Sequence, residues 1–536
     1  MGSFSTDTCY HPLKKGILNR TFTFMTKSSA NKRLYTNTLL LYIRMLFTVV
    51  VGLYTSRVVL NTLGVSDYGI YNIVGSIVFM LAFLNNAMIT ATQRFLSYEL
   101  GSKNLKRLND VFCTSLSIHI VLSIIILIFA ETFGLYFLNF HLNIPETRIS
   151  AANWVYQCSL FTFIWNIISV PYNSCIVAHE RMKVFAYISI LQVSMKLVIV
   201  FLLLIFKTDK LITYGVLLLC VQIIIQIIYT IYCRKSFPEC NYHISVNKPL
   251  FKEMFSFIGW NIIGNLGYSI KDQVSNIILN IFFGTVVNAA RGIALQVNGI
   301  IWNFSGNFLM AVNPQITKSY AENDINNYKK LIYTSCHFSF FLLSIITIPF
   351  IINMDYLLKL WLGNVPNYTY EFLLLTLITS LINAMIIPMT TGIQATGKVR
   401  SLQISITTFA LIEPLLGYLL LKYGGNPYAV MYPTVFLAIL QFIVELIILG
   451  KIIGKAIYRS FICSILIKNI CIAGICYTTS YIISSLFPTK NFMTFIETSA
   501  IAVIITVFTI YILGLSNKER LFVNNKVINL IYKYSR

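Results

Sequence analysis

Apolar runs long enough to cross a bilayer as helices, about 20 residues each, recur along most of the chain and are separated by charged residues. This pattern predicts an all-α polytopic membrane protein with about fourteen transmembrane helices. Hydrophobic residues make up 57% of the sequence and charged residues only 11%, whereas about a quarter of a soluble protein is charged. The predicted spans lie at 36–60, 68–96, 111–139, 151–178, 185–206, 211–233, 254–283, 287–318, 331–352, 371–396, 401–421, 428–449, 461–486 and 492–514.

Two of these spans, 254–283 and 287–318, carry polar side chains at helical spacing. In the first span the polar residues follow one another at steps of three or four, which places them on one face of a helix. Such a face is costly against lipid, so we expect it to line a bundle interior or a water-filled pathway. The polar positions are Asn261, Asn265, Ser269, Asp272 and Asn276 in the first span and Arg291, Gln296, Asn298, Asn303 and Asn307 in the second.

Basic residues are distributed unevenly between alternate connections of the predicted spans. The formal net charge is +22, and 28 of the 41 Lys and Arg residues fall on the side that holds both termini, against 6 on the other side. An excess of Lys and Arg marks cytoplasmic loops, so we predict that both termini are cytoplasmic. Membrane orientation accounts for the charge, and we expect no nucleic-acid partner.

The eleven cysteines and six histidines form no CxxC or HExxH-like pattern. We therefore expect no metal site and no cofactor from the sequence. The sequence also lacks a Walker A motif, which argues against ATP as the direct source of energy.

The two halves of the chain repeat each other. A motif N-x4-P-x4-I-x-A begins at Asn166 and again at Asn383, and a motif Q-x3-S-Y-x5-N begins at Gln93 and again at Gln315. Six spans per half give both halves the same orientation, so we expect two lobes related by a pseudo-twofold axis along the membrane normal, with a substrate site between them. The predicted domains are a basic N-terminal segment (1–35), an N-lobe (36–233), a cytoplasmic linker (234–253), a C-lobe (254–449), two further helices (450–514) and a basic tail (515–536).

Each half also places a proline inside a span, Pro171 in the first and Pro388 in the second. Proline removes a helical hydrogen bond and can bend the helix. Either residue is a candidate hinge for rocking of the lobes or the site of a fixed kink.

Lys and Arg residues inside spans are expected to have a structural or functional role, because an unpaired cation at mid-span costs at least about 2.5–3.5 kcal/mol of insertion free energy. Lys196 and Lys271 lie deepest, so they are the first candidates for binding an anionic group, or they form structural ion pairs. Arg94 and Lys468 lie near cytoplasmic span ends, where we expect them to snorkel to solvent. The remaining candidates for an anion-binding role are Arg44, Arg57 and Arg291.

Carboxylates inside spans are fewer. Asp272 lies on the polar stripe and Glu413 precedes Pro414 in another span. A carboxylate that titrates or binds sodium could couple transport to a proton or sodium gradient. Alternatively, Asp272 neutralises a cation from the other lobe.

The stretch Tyr54–Gly75, YTSRVVLNTLGVSDYGIYNIVG, resembles the Wzx-type O-antigen and capsular polysaccharide flippases. These belong to the multidrug, oligosaccharidyl-lipid and polysaccharide transporter superfamily, which also contains the MATE exporters. The resemblance implies a V-shaped bundle of two six-helix lobes around a cationic cavity in the bacterial cytoplasmic (inner) membrane. It implies an undecaprenyl-diphosphate-linked oligosaccharide as the transported partner, flipped from the inner to the outer leaflet, and other membrane proteins of polysaccharide and lipopolysaccharide assembly as further partners.

Two other functions stay open at this point. A MATE-like multidrug exporter would share the architecture, but intramembrane cations outnumber acids, which argues against cationic substrates. A membrane glycosyltransferase or polymerase would need a larger aqueous domain than these short connections offer. We therefore expect a transporter and not an enzyme.

Overall fold

The structure is a computed structural model. It describes residues 37–524 except 53, 56, 60, 65–66, 72–73, 76–81, 141–143, 206–208, 244–246, 455–456, 486–490, 518 and 522–523. The predicted N-terminal segment and most of the basic tail therefore lie outside the described residues.

The described residues form seventeen helices and no strand, which confirms the all-α fold class. Short α4 and α15 continue into their neighbours through single π-helical turns. The helices are α1 (Asn37–Gly64), α2 (Ala82–Ser102), α3 (Leu105–Phe129), α4 (Leu135–Phe140), α5 (Ile149–Ala178), α6 (Met182–Ile205), α7 (Lys210–Ser236), α8 (Lys248–Phe283), α9 (Thr285–Ala321), α10 (Ile325–Ile352), α11 (Met354–Leu362), α12 (Thr369–Ala395), α13 (Arg400–Lys422), α14 (Tyr432–Ile453), α15 (Ile457–Phe461), α16 (Lys468–Ser485) and α17 (Phe492–Thr509).

Among the described residues, eleven helical segments are long and apolar enough to cross a membrane. Three long helices, α2, α8 and α9, are not among them. Helices α8 and α9 are the two that carry the predicted polar stripe, and α2 contains Asn85, Asn86, Gln93 and Arg94. Helices of this polarity belong in the interior of a bundle, where other helices or water meet their polar faces.

The apolar core is divided between the two halves of the chain. One cluster packs residues of α1–α8 around Phe112, Tyr172 and Ile176. Two others pack residues of α8–α17, and α16 and α17 lie against α10. The first cluster also includes Phe257, Ala311 and Val399 of the predicted C-lobe, so the domain boundaries given above stay predictions.

The repeat is visible in the backbone as well as in the sequence. The turn between α5 and α6 contains Glu180 with φ +59°, and the turn between α12 and α13 contains Gly397 with φ +80°. The two residues are 217 positions apart, the same offset as the Asn166 and Asn383 motifs. A left-handed residue ends a helix at both places, and only the second copy uses glycine, which adopts this conformation without steric cost.

Pro171 and Pro388 are both buried within uninterrupted helices, α5 and α12. The geometry places them at equivalent depths of the two repeats. Their role as hinges stays a prediction.

Candidate functional site

The two lobes meet at one end of the bundle, where α2, α5 and α9 have the termini Ser102, Ala178 and Ala321. Glu180 of the N-lobe forms an ion pair with Lys318 of the C-lobe (Oε1–Nζ 2.8 Å). The charge asymmetry of the loops predicts that this end is cytoplasmic, so the lobes are closed on the predicted cytoplasmic side.

A polar cavity of about 540 Å³ lies next to this closure. Its wall is formed by α2 from the N-lobe and by α8, α9, α12, α13 and α14 from the C-lobe. Most of its polar side chains are amides and hydroxyls, and Tyr268 and Trp302 supply aromatic surface. The polar side chains include Thr90, Gln93, Ser97, Asn261, Asn265, Asn298, Asn313, Ser380, Asn383, Thr390, Gln394 and Gln403.

The charged side chains in this wall are Arg94 and Glu445. The resemblance to flippases implied a cationic cavity, and for this cavity that expectation is wrong within the described residues. The cations of the C-lobe interior are paired with carboxylates, as described below, so amides dominate the surface that a ligand would meet.

An amide network fixes one side of the wall. Asn261 is buried, and its Oδ1 accepts hydrogen bonds from Gln403 Nε2 (2.8 Å) and Gln394 Nε2 (3.3 Å). Its Nδ2 donates to the carbonyl of Phe257 (2.8 Å). Helices α8, α12 and α13 are thus joined through one side chain, and Ser380 donates similarly to Asn298 (2.6 Å) between α12 and α9. A network with satisfied partners holds its amides in defined orientations.

Lys271 and Glu413 form an ion pair with each other (Nζ–Oε2 3.3 Å). The lysine lies over the ring of Tyr268 (5.2 Å), and Thr434 donates a hydrogen bond to Glu413 Oε1 (2.6 Å). The side chains are only 14% and 10% exposed. The pair connects α8 to α13 beside the cavity. Of the two roles predicted for Lys271, anion binding or a structural ion pair, the structure shows the ion pair. An anion-binding role would require this pair to open and stays a prediction.

Asp272 and Arg291 form a second ion pair within the C-lobe (Oδ1–Nη2 3.2 Å). The buried Arg291 also donates to Asn276 Oδ1 (2.5 Å). The partner of Asp272 is thus a cation of its own lobe and not one from the other lobe. Half of the Asp272 side chain is exposed, so this carboxylate can still be reached by an ion.

Arg44 lies between the lobes. It donates to Asn307 Oδ1 of α9 (2.8 Å) and its guanidinium lies over the Phe185 ring (4.9 Å). Its Nε is buried and has no partner within the described residues, so this guanidinium has unused donor capacity.

The structure does not bring the other sequence candidates to the cavity wall. Lys196 and Arg57 are exposed, and neither makes a hydrogen bond or ion pair with a described residue. Among the predicted lumenal residues, Asn265 lines the cavity whereas Ser269 and Asn303 are exposed outside its wall.

Neither of the two charged residues of the cavity wall was predicted to line it. Arg94 was expected to snorkel, but it is only 8% exposed, donates to the carbonyl of Ala395 (3.1 Å) and contacts the ring faces of Phe95 and Tyr98. The sequence position near a helix end could not reveal that the other lobe covers it. Glu445 is 1% exposed.

Glu445 accepts hydrogen bonds from Thr390 (2.7 Å) and Gln441 (2.8 Å). In the sequence, Gln441 and Glu445 are four residues apart inside an apolar span, and this spacing could have predicted that the two side chains contact each other inside the bundle. In the sequence Glu445 lies near the end of the predicted span 428–449, but the helix continues to Ile453 and keeps the carboxylate inside.

Comparison with known proteins places this geometry in a class. The family model MatE matches residues 41–202. No curated protein sequence matches the chain. The folds of solved transporters match with TM-scores of 0.67, 0.66 and 0.64 at 12% sequence identity, covering 79%, 80% and 76% of this chain and 96%, 97% and 94% of theirs.

The first of these structures is a point mutant of a MATE protein, and the second is an outward-facing multidrug resistance MATE family transporter of the MOP superfamily. The third is a MOP superfamily transporter from Pyrococcus furiosus for which a reversed polarity of the binding pocket is described as suggesting a different function. The fold and the matched domain define the class of multi-pass membrane transporters, not of enzymes. Within that class, the chain carries a MatE domain in its first half and has the fold of MATE transporters over about four fifths of its length.

Proposed function

We propose that this protein is a flippase that moves undecaprenyl-diphosphate-linked oligosaccharides from the inner to the outer leaflet of the bacterial cytoplasmic membrane by alternating access. Its product would serve the assembly of O-antigen, capsule or another exopolysaccharide. The observation that carries the proposal is the neutral, amide- and hydroxyl-rich lining of the cavity.

Sugars present many hydroxyl groups and apolar ring faces. Hydroxyls bind amide and hydroxyl side chains, which can both donate and accept, and sugar rings pack on aromatic side chains. The cavity supplies Asn261, Asn298 and Asn383 together with Tyr268 and Trp302. An organic cation would gain little electrostatic binding energy from this wall, because most of its polar side chains are uncharged.

The diphosphate requires cations, and the closure between the lobes provides two. Arg94 lines the cavity, and Arg44 of α1 contacts α9 and has an Nε without a partner among the described residues. Guanidinium groups bind phosphate with two parallel hydrogen bonds. Lys196, Lys271, Arg57 and Arg291 remain candidates for earlier or later steps of the path.

The resemblance to flippases also favours a lipid substrate through the span count, because the fourteen predicted spans fit the lipid-substrate branches of the superfamily better than the MATE exporters. The matched MATE structures are covered almost completely, but about a fifth of this chain has no counterpart in them. Helices α16 and α17, which pack on α10, are the predicted thirteenth and fourteenth spans.

A MATE-like exporter of organic cations is the second candidate. The buried carboxylates Glu445 and Glu413 near the cavity favour it, since a desolvated carboxylate attracts a cation or a proton. For either function a proton or sodium gradient is the expected source of energy.

The decisive experiment uses the full chain in liposomes. A labelled undecaprenyl-diphosphate oligosaccharide would be placed in one leaflet, and its appearance in the other would be followed with and without pH and sodium gradients. Protein-dependent movement supports the flippase. Efflux of a cationic dye without movement of the lipid-linked sugar would overturn it in favour of the exporter.

A further inference from the structure

Three thiols, an imidazole and a carboxylate converge where the linker leaves the N-lobe. Cys175 lies in the last turn of α5, His179 directly follows that helix, and Cys233 lies near the end of α7. Glu239 and Cys240 lie in the short 3-10 turn Pro238–Cys240. The sequence shows no metal-binding spacing, because these residues come from three elements and only the fold brings them together.

The distances from the Cys175 sulfur to its neighbours suit one small ion. Cys175 Sγ lies 3.6 Å from Cys240 Sγ and 3.6 Å from Glu239 Oε1. His179 Nε2 is hydrogen-bonded to Glu239 Oε1, which is closer than two ligands of one zinc ion, so this bond would open on metal binding. The ligand atoms of Cys175, His179 and Glu239 all lie within 4.8 Å of one another. Tetrahedral zinc with Zn–S bonds of about 2.3 Å and Zn–O bonds of about 2.1 Å separates two sulfurs by about 3.8 Å and a sulfur from an oxygen by about 3.6 Å.

The burial and the chemistry of these side chains also favour metal binding. Cys175, Cys240 and Glu239 are buried, whereas His179 is partly exposed and leaves an entry route. His179 is the group that pairs with the buried Glu239 carboxylate, and thiolates beside this carboxylate would need the further positive charge that a metal ion brings. Cysteines on the predicted cytoplasmic side remain reduced, so they are free to act as thiolate ligands.

From this cluster we infer that the protein binds a thiophilic divalent metal of the zinc class, with Cys175, Cys240, His179 and Glu239 as the ligands. Cys233, whose thiol interacts with that of Cys240, is the nearest substitute ligand. Thiolate and imidazole donors select zinc or a similar ion over magnesium or calcium. The bound ion would fasten the linker to the α5–α6 turn, which also carries Glu180. The inference is independent of what the protein transports.

The test measures metal in the full-length protein purified in detergent. We expect one zinc per chain by elemental mass spectrometry. Replacement by cobalt alone should give the thiolate-to-cobalt charge-transfer band and the d–d bands of tetrahedral cobalt. Cys175→Ser should weaken cobalt affinity about 10–100-fold or more and reduce the charge-transfer band.

Cys158→Ser is the matched control, since it replaces another buried cysteine of α5 outside the cluster. It should leave the metal content unchanged. If Cys175→Ser does not yield folded protein by size-exclusion chromatography, His179→Asn, at the more exposed ligand, carries the same test. Wild-type protein without stoichiometric metal and without the cobalt bands would overturn the inference, as would undiminished binding in the ligand variant or a Cys175–Cys240 disulfide in metal-free protein.

Discussion

Glu180 and Lys318 join the two lobes through an ion pair of 2.8 Å, and Gln315 donates to the other carboxylate oxygen at 3.3 Å. Both charged side chains are partly buried, and Asn37 holds the Glu180 carbonyl (3.1 Å). The pair exists only while the lobes are closed on the predicted cytoplasmic side. It therefore favours that closed state over the state in which the cavity opens to the cytoplasm.

Removing this pair should shift the population towards the cytoplasm-open state. We expect Lys318→Met to change the balance by about 1–2 kcal/mol, which is roughly a five- to thirtyfold change in the ratio of the two states. Spin-label distances between α2 and α9 would measure the shift. Lys330→Met, at an exposed lysine on the same side, should leave the distances unchanged. Equal distance distributions in both variants would contradict a latch role.

The contribution of the Lys271–Glu413 ion pair to stability can be tested independently of transport. Glu413→Gln leaves a poorly solvated lysine without its partner, which typically costs about 3–5 kcal/mol. We expect the double variant Lys271→Met/Glu413→Gln to regain much of the thermal stability lost by the single variant. Thermal unfolding of the wild-type protein, Glu413→Gln, Lys271→Met and the double variant in detergent forms the double-mutant cycle. Additive losses would mean that the pair contributes nothing as a unit.

The diphosphate hypothesis predicts the transport activity of alanine variants of two lysines. Lys271→Ala and Lys196→Ala should lower the flux of the lipid-linked sugar while folded protein is still recovered. Lys359→Ala is a suitable control, because Lys359 pairs with Asp355 on the exposed helix α11. Normal flux in both test variants would remove these lysines from the diphosphate path.

The amide network predicts unequal effects for two asparagines of the polar stripes. Asn261→Ala leaves Gln403 and Gln394 without their shared acceptor, at a cost of about 1–3 kcal/mol, so it should lower both stability and sugar flux. Asn303→Ala, at an exposed side chain, should change neither by a comparable amount. Unfolding temperature and flux would be measured on the two variants in parallel. The reverse ranking would place the lumen on the Asn303 side of α9.

The opposite end of the N-lobe is held by Arg148, which contacts Asp209 (2.5 Å) and Asp67 (2.5 Å). The hydrogen bond from Arg148 lowers the pKa of Asp209 below its ordinary value of 3.8. A depressed carboxylate pKa stabilises the fold above pH 3.8, and this contribution is lost as the pH falls through the lower, folded-state value. Thermal stability should therefore decline below about pH 4, and Arg148→Gln should flatten that decline. An unchanged slope in the variant would rule out this pair as its cause.

The sequence predicted the fold well because its signals are local. Hydrophobic runs gave the helices, and the 217-residue offset found at Asn166 and Asn383 returns in the left-handed turns at Glu180 and Gly397. The cavity was predicted only in part. Asn261 and Asn265 follow from helical spacing, but Arg94 lines it only because the other lobe covers an apparent helix end.

Pairing between distant elements is what a single sequence does not reveal. Lys271 pairs with Glu413, and Cys175 contacts Cys240, because the fold brings together elements that are far apart in the chain. Neither spacing nor composition encodes which helix faces which. The roles proposed for Pro171, Pro388 and the exposed Lys196 remain predictions.

The backbone of Glu180 has a consequence for how the two halves diverged. At the equivalent turn the second half has Gly397, which fits a positive φ without strain, whereas the first half tolerates a strained residue whose carboxylate reaches the other lobe. The cavity wall, in contrast, comes from five helices of the second half and one of the first. Under the proposed alternating-access function, the second half would therefore supply most of the surface that binds the cargo, and the first half would close over it. Cargo held here would stay with the C-terminal half while the N-terminal half swings past it.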